Sequence, residues 1–184
     1  EPTDVLIVPI HHQPGGYMTD LGPKDIKAGA LYEMGGRIYT YGLGTKSSDS
    51  KGHFLAREVV KASPGLVPKR ILDVGCSCGA ATVVYKDVFP DAQVVGIDVG
   101  PSIVRYAHAR AESLGLQVDF FQMNGIDMKF PDDHFDLIVS NNLMHEVSTP
   151  NFKKILKECH RVLAPGGVLM FQELPISWRA TEPT

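Results

Sequence analysis

One stretch of the chain decides its fold class: Arg70-Ile71-Leu72-Asp73-Val74-Gly75-Cys76-Ser77-Cys78-Gly79. The first five of these residues form the largely apolar run that is typical of a parallel β-strand buried on both faces. Small residues then alternate up to Gly79, which favours a tight turn. We predict a helix over Ala80–Phe89, because Pro90 stops it. A strand, a glycine-rich turn and a helix together form the first unit of an α/β fold.

The same alternation of strand and helix continues along the chain. We predict further strands at Gln93–Ile97, Gln117–Gln122, Phe135–Ser140 and Val168–Gln172. We predict helices over His53–Ala62, from Pro101 to a stop at Gly115, and from Thr149 to Leu163. Strands that alternate with helices favour an α/β fold, a three-layer α/β/α sandwich with a mainly parallel sheet.

Composition excludes several classes of protein. The 184 residues suit one domain, and the formal net charge of −3 gives no basic excess for binding nucleic acid. Three cysteines, an odd number, argue against a secreted disulfide scaffold. We see neither a signal peptide nor an apolar stretch near the ~18–20 residues that span a membrane. We therefore expect a soluble cytoplasmic protein with no membrane or nucleic-acid partner.

Residues 1–50 differ in composition from the rest. Eight of the 18 glycines lie between Gly15 and Gly44, which is typical of loops. The strand candidates in this region are Val5–Ile10 and Ile38–Tyr41. We therefore divide the chain into a glycine-rich arm or lid at 1–50 and a core at 51–184.

The carboxyl ends of the predicted strands carry the candidate site, because ligands bind there in parallel sheets. Asp73 precedes the glycine turn, and Asp98 ends the second strand 25 residues later. A carboxylate at Asp98 suits the two hydroxyls of a ribose. The small residues Gly75, Ser77 and Gly79 do not match the G-x-G-x-x-G spacing of dinucleotide binders.

These residues resemble motif I, D/E-x-G-x-G-x-G, of the class I S-adenosylmethionine-dependent methyltransferases, whose fold is Rossmann-like. Three further segments resemble the family in the same order: Gly96–Ser102, Gln122–Asp136 and Leu156–Gly167. The resemblance covers about residues 66–173. Two positions depart from the pattern: Ser77 replaces the central glycine, and Asn124 stands where many members have an acid.

The resemblance implies S-adenosylmethionine as the cofactor and a role for each matching residue. Asp73 would orient the loop and the methionine ammonium, and Asp98 would hold the ribose. Asn141 would contact the methionine part, at the end of the fourth strand beside Ser140. The remaining cofactor residues implied are Gly75, Ser77 and Gly79, which let the backbone approach, Val99, which packs on adenine, and Asn124 and Gly125, which read its edge.

Methyl transfer by in-line displacement is the reaction that this resemblance implies. His145 follows the fourth strand and is a candidate base, with His11 and His12 weaker candidates. The segment Ser140–Leu143 lacks the N/D-P-P-Y/F sequence of methyltransferases that act on amino groups of nucleic acid or glutamine, so a small-molecule acceptor is expected. Two alternatives stay open: a catalytically weak methyltransferase-like interaction domain, and a nucleotide-dependent oxidoreductase.

No metal site is expected. Cys76 and Cys78 lie inside the turn without the C-x-x-C spacing typical of zinc sites, and Cys159 continues the apolar stripe of a helix. The arm is expected to act as a lid, with Tyr32, Tyr39 and Tyr41 as its aromatic candidates.

The sequence after the fifth predicted strand does not account for the last elements of the family's sheet. The family's sheet continues after the fifth strand with a helix and an antiparallel strand pair, which residues 174–184 are too few to form. The edge of the fifth strand therefore needs a cover. We expect Val5–Ile10, Ile38–Tyr41, a second copy in a homo-oligomer, or further residues to provide it.

Overall fold

A computed structural model of the chain describes residues 17–39 and 50–173. The predictions for Val5–Ile10, His11, His12 and Tyr41 lie outside these ranges. The helices are α1 (Lys27–Tyr39), α2 (Ser50–Ala62), α3 (Thr82–Val88), α4 (Pro101–Ser113) and α5 (Thr149–Val162). The strands are β1 (Arg70–Val74), β2 (Gln93–Asp98), β3 (Asp119–Gln122), β4 (Phe135–Asn141) and β5 (Leu163–Gln172), and a short 3₁₀ helix covers Met144–Glu146.

The five strands form one parallel sheet in the order β3-β2-β1-β4-β5. The central strand β1 has neighbours on both sides, so that Ile71 pairs with Val94 of β2 and with Leu137 of β4. Chain order reverses at β1, because β2 lies on one side of it and β4 on the other. That reversal is the point at which an open α/β sheet forms its ligand crevice. The predicted α/β sandwich with a mainly parallel sheet is confirmed.

The core consists of two apolar layers, one on each face of the sheet. Alternate residues of β1 point to opposite faces, so Ile71 packs with α2, α3 and α4, whereas Leu72 packs with α5. Both side chains are fully buried. The run Arg70–Val74 therefore shows no polar alternation, because both faces of its strand are covered.

The fifth strand begins five residues earlier than predicted. Leu163 already pairs with Phe135, and Val168 pairs with Leu137 after a shift in register. The segment Pro165-Gly166-Gly167 is therefore an irregularity within β5, and Gly166 has a φ of 80°. Sequence patterns of alternating apolar residues do not detect such a bulge.

The prediction of a loop-rich arm with a strand at Ile38–Tyr41 is wrong for the residues that the structure describes. Lys27–Tyr39 forms a helix despite Gly29, Gly35 and Gly36. Tertiary packing overrides the low helix propensity of glycine here, because α1 docks on α4. At Gly29 the two helices approach so closely that an added Cβ would lie 2.2 Å from Cβ of Tyr106.

Polar contacts reinforce the docking of α1 and its preceding turn. The guanidinium of Arg105 pairs with Asp20 and also donates to the carbonyl oxygens of Gly22, at 3.0 Å, and Asp25, at 2.9 Å. The backbone N–H of Ala28 donates to Oγ of buried Ser102 at 3.1 Å. One residue, Arg105, thus holds three points of the turn that precedes α1.

The position of α1 also rules out one predicted cover for β5. Helix α4, on which α1 lies, contacts β2 and β3, at the end of the sheet remote from β5. Ile38–Tyr39 therefore does not pair with β5. Among the described residues β5 pairs with β4 alone.

Gly29→Ala is predicted to destabilise the protein through the contact between α1 and α4. The new methyl group would overlap Cβ of Tyr106, which cannot rotate away, so the helices must separate. Such overpacking typically costs about 1–3 kcal/mol. Urea unfolding of the variant should give a smaller free energy of unfolding by that amount.

Gly35→Ala is the matched control, because an added Cβ there meets nothing within 4 Å. This exposed substitution in the same helix should leave stability unchanged or raise it by about 0.5–1 kcal/mol. Equal effects of the two substitutions would contradict the close approach at Gly29.

Candidate functional site

The turn after β1 is tied to the neighbouring strand β2. The backbone N–H groups of Gly75 and Cys76 both donate to the carbonyl oxygen of Ile97, at 2.9 Å and 3.0 Å. The backbone N–H of Ser77 donates to Oδ2 of Asp98 at 3.0 Å. Ser77 adopts a φ of 50°, so the serine takes the left-handed conformation that the family's glycine provides more easily.

Gly79 closes the turn at a point where no side chain fits. Its φ is 74°, and an added Cβ would lie 2.8 Å from the Phe120 ring and 3.0 Å from Cβ of Ala107. The turn can therefore lie against α4 and β3 at this position only with glycine. The backbone of the loop is thereby presented to the crevice at the carboxyl ends of the strands.

Asp73 is a buried carboxylate at the carboxyl end of the central strand. The residue is 1% exposed, and its Oδ2 accepts a hydrogen bond from Oγ1 of Thr82 at 2.7 Å. Its Oδ1 is buried and has no hydrogen-bond partner. Burial raises the pKa of Asp73 to about 7, although the bond from Thr82 lowers it. Such a carboxylate is complementary to a bound cation.

Two further buried oxygen atoms lie on the same face of the sheet. Asp73 pairs with Val139, Asn141 lies two residues beyond Val139, and Gln172 pairs with Asn141. Residues spaced by two share a face, so all three side chains project toward the α3 side. Oδ1 of Asn141 and Oε1 of Gln172 are buried without a hydrogen-bond partner. Three acceptors without donors at adjacent strand ends are complementary to a ligand that is rich in donors.

Asn141 is oriented by a buried tyrosine. Its Nδ2 donates to the hydroxyl of Tyr85 at 3.0 Å, which directs Oδ1 elsewhere. Ser140 does not face the crevice, because its buried hydroxyl donates to the carbonyl oxygen of Val74 at 2.7 Å. Ser140 thus joins β4 to β1, and Asn141 is the polar group that remains at the end of β4.

Both carboxylate oxygens of Asp98 accept hydrogen bonds from the neighbouring backbone. Oδ1 accepts from the backbone N–H of Gly100, and Oδ2 from that of Ser77, each at 3.0 Å. Burial raises the pKa of Asp98, and these two backbone bonds lower it. Each carboxylate oxygen can accept a second bond, so capacity for ligand hydroxyls remains.

The predicted adenine residues lie just beyond β2 and β3. Val99 is half-buried, and its carbonyl oxygen accepts from Nε2 of Gln122 at 3.2 Å. Oδ1 of Asn124 accepts from the backbone N–H of Ile126 at 3.1 Å, which forms a local turn. An added Cβ at Gly125 would lie 3.3 Å from Val74. Val99 and Asn124 thus lie just beyond β2 and β3, and Gly125 lies against the end of β1.

Two tyrosines of the arm reach this site. The rings of Tyr17 and Tyr32 meet edge to face with centroids 5.5 Å apart. Burial raises the pKa of both hydroxyls, that of Tyr32 to about 12, and Asp98 and Glu146 contribute in each case. The carbonyl oxygen of Tyr17 lies 2.6 Å from where a Cβ on Gly100 would be. This part of the arm therefore lies near Asp98 and Gly100, and the side chain of Tyr39 lies outside the described set.

His145 is on the 3₁₀ helix that follows β4, and its ring lies between the carboxylates of Glu146 and Glu173. Its Nδ1 is 2.6 Å from Oε1 of Glu173, and its Nε2 is 3.4 Å from Oε1 of Glu146. All three side chains are at most 15% exposed. The carboxyl ends of β1, β2, β4 and β5 thus gather acidic side chains, which favour a cationic ligand.

The three cysteines are free and buried, with the pKa of each thiol raised by burial. Among residues 17–39 and 50–173, no group of three or more His, Cys, Asp and Glu side chains could hold a metal ion. No helix within these ranges is long and apolar enough to cross a membrane.

Three residues of the site were not predicted from sequence: Gln172, Glu173 and Tyr17. Gln172 and Glu173 end or follow β5, so the rule that placed Asp73 and Asp98 at strand ends would have found them too. Tyr17 carries no such signal, because its approach to Gly100 depends on how the arm folds back.

Comparison with known proteins places this chain in a family. The sequence model of the family described as "Methyltransferase domain" matches residues 71–167, which is more than half of the chain. The chain therefore belongs to this family of methyltransferase domains, and the predicted family is confirmed.

Three relatives illustrate the range of the family. A demethylmenaquinone methyltransferase of Thermus thermophilus is 35% identical over 119 residues, covering 65% of this chain and 53% of that protein. A 2-phytyl-1,4-naphtoquinone methyltransferase of Synechococcus elongatus is 34% identical over 113 residues, covering 60% and 48%. The crystal structure of the [4+2]-cyclase SpnF is 30% identical with a TM-score of 0.58, covering 65% and 43%. The chain spans about half the length of these relatives.

Asp73→Asn is predicted to change how stability depends on pH. A pKa raised from 3.8 to about 7 means that the folded protein favours the protonated acid. The free energy of unfolding should therefore fall as pH rises from about 4 to about 7 and then stay level. Asparagine cannot ionise, so the ligand-free variant should be more stable than the parent at pH 8, by up to roughly 4 kcal/mol at about 1.4 kcal/mol per pKa unit.

Urea unfolding at pH 4, 6 and 8 measures this difference. Asp91→Asn is the control, because Asp91 is exposed and lies between α3 and β2, before the amino end of the strand. A difference between parent and Asp73→Asn that stays constant across the three pH values would contradict the buried ionisation at Asp73.

Proposed function

We propose that this domain binds S-adenosylmethionine and transfers its methyl group to a small-molecule acceptor. One observation supports binding of this cofactor. The oxygens of Asp73, Asn141 and Gln172 are buried without hydrogen-bond partners at adjacent strand ends. The ammonium group of the methionine part would supply three donors and a positive charge. Asp73 would lose part of its burial penalty on receiving that charge.

The part of the crevice beyond β2 and β3 would hold the nucleoside. Asp98 would accept hydrogen bonds from the two ribose hydroxyls with the acceptor capacity that its backbone bonds leave. Val99 would pack on adenine, and Asn124 and Gly125 would line its edge. The turn of Gly75, Ser77 and Gly79 would let the backbone approach the methionine and ribose portion.

The bound cofactor would supply a methyl group that its sulfonium has already activated toward nucleophilic attack. The protein would contribute alignment, which accounts for up to about 7–11 kcal/mol of a barrier in favourable cases. Tyr17 and Tyr32 would cover the nucleoside and exclude water, because they lie against Gly100, Ser77 and Asp98. His145, at the acceptor end of β4, would accept a proton where the acceptor loses one.

The acceptor class follows from the relatives and from charge. Two of the relatives described above are named for methylating quinone compounds. The net charge of −3 gives no overall basic excess for binding nucleic acid. We therefore place a small aromatic compound first among candidate acceptors.

Asp98→Ala is predicted to weaken binding of S-adenosylmethionine by roughly 10- to 100-fold, the effect of losing charged hydrogen bonds of about 1.5–3 kcal/mol. Isothermal titration with the cofactor and with S-adenosylhomocysteine measures the change. Asp119→Ala is the control, since Asp119 is exposed at the amino end of β3, whereas Asp98 lies at the carboxyl end of β2. Equal affinities of parent and Asp98→Ala would contradict the placement of the ribose.

Turnover is tested with acceptors that share one ring system: a naphthol, a naphthalenethiol and a naphthylamine. Mass spectrometry should detect a methylated product together with S-adenosylhomocysteine. Cofactor binding without any turnover of a broad acceptor panel would favour the interaction-domain alternative. Failure to bind either form of the cofactor at millimolar concentration, with binding of NADH, would favour the oxidoreductase.

A further inference from the structure

Glu173 holds His145 from a position that the sheet defines. The residue follows β5 directly, and its Oε1 lies 2.6 Å from Nδ1 of His145. Its Oε2 accepts the backbone N–H of Met144 at 2.7 Å. Because the backbone N–H can only donate, this second bond sets the orientation of the carboxylate. The side chain of Glu173 is 14% exposed, so water competes little for either oxygen.

This arrangement selects one tautomer of the histidine. An ionised carboxylate only accepts hydrogen bonds, so Nδ1 of His145 must carry the hydrogen in the 2.6 Å contact. A neutral ring then keeps its lone pair on Nε2, which is the nitrogen able to take a proton. Glu173 thus decides which end of the ring can act as a base.

The Nε2 end of the ring lies beside Glu146 on the 3₁₀ helix that follows β4. Nε2 lies 3.4 Å from Oε1 of Glu146, whose charge contributes to the raised pKa of Tyr17 and Tyr32 over Asp98. From the other side, Lys51 of α2 lies within electrostatic reach of Glu173. Glu173 and Glu146 thus lie on the two sides of the ring, and both carboxylates can stabilise its protonated form.

We propose that Glu173 is a positioning residue that directs Nε2 of His145 at an acceptor carrying a hydroxyl or thiol group. The proposal rests on the proposed methyl transfer. The acceptor oxygen or sulfur forms a bond to the methyl carbon as the bond from that carbon to the sulfonium sulfur breaks. The electron pair of the broken bond stays on that sulfur, which becomes neutral. The acceptor's proton moves to Nε2, and the positive charge then resides on the imidazolium between Glu146 and Glu173.

Glu173→Gln tests this role with little change in shape. Glutamine has one oxygen where glutamate has two, and the backbone N–H of Met144 needs that oxygen. The amide NH₂ would then face Nδ1 and donate to it, which moves the ring hydrogen to Nε2. A neutral ring in that tautomer cannot accept the acceptor's proton at Nε2.

Glu146→Gln is the matched control on the other nitrogen. Glu173 remains in that variant and keeps the hydrogen on Nδ1, while the new amide can donate to Nε2. Nitrogen NMR shifts of the ring of His145 report the tautomer without any turnover. At a pH where the ring is neutral we expect hydrogen on Nδ1 in the parent and in Glu146→Gln, and on Nε2 in Glu173→Gln.

The NMR measurement on the parent protein can overturn the proposal even if a variant does not fold. Hydrogen on Nε2 in the parent protein overturns the proposal. A ring that remains doubly protonated at the pH of turnover also overturns it. A tautomer that is identical in the parent and in folded Glu173→Gln does the same.

Kinetics with the naphthol then tests the consequence for catalysis. Removal of a general base typically costs about 10²–10⁴-fold, so kcat of Glu173→Gln should fall at least about 100-fold. The KM for S-adenosylmethionine should change by less than about threefold, because the residue is not proposed to contact the cofactor. An unchanged kcat overturns the proposal, as does a parent that methylates the naphthylamine but neither the naphthol nor the thiol. If the parent methylates none of the three, the tautomer alone decides the role of Glu173.

Discussion

The buried carboxylate of Asp73 is the constraint around which the rest of the site is arranged. Its strand has neighbours on both sides and apolar layers on both faces, so water cannot solvate the charge. Thr82 satisfies one oxygen, and the other has no partner in the protein. Burial at this position opposes ionisation by several kcal/mol in an isolated domain, and a bound cation offsets that penalty. A ligand that placed a positive charge beside Asp73 would therefore link its affinity to folding stability through one side chain.

The crossover at β1 gives this carboxylate its neighbours. Strands β2 and β4 lie on opposite sides of the central strand, so Asp98 lies on one side of Asp73 and Asn141 on the other. Gln172 and Glu173 extend the same row through β5. A single edge of the sheet thus carries a proposed nucleoside end, a proposed methionine end and a histidine held between carboxylates. Each role depends on which strand the residue follows.

The arm shows how local preference and tertiary packing can disagree. Three glycines between residues 27 and 39 predict loop, yet the segment is helical because Gly29 lets it lie directly on Tyr106 of α4. The same docking brings Tyr32 and Tyr17 over Asp98. A residue that weakens the isolated helix therefore enables the contact that stabilises it. Sequence periodicity contains no information about such a close approach.

The alternation of apolar runs with helical stripes was sufficient to predict five strands, their parallel direction and the carboxyl ends that hold Asp73, Asp98 and Asn141. These features follow from local rules, because burial on both faces demands an apolar strand and a tight turn demands small residues. The pairing of His145 with Glu173, 28 residues apart, was decided only by tertiary structure. So were the helical arm, the early start of β5 and the use of Ser140 within the sheet. Each of these depends on which distant groups satisfy a buried polar atom or fill a gap, and local sequence does not specify those partners.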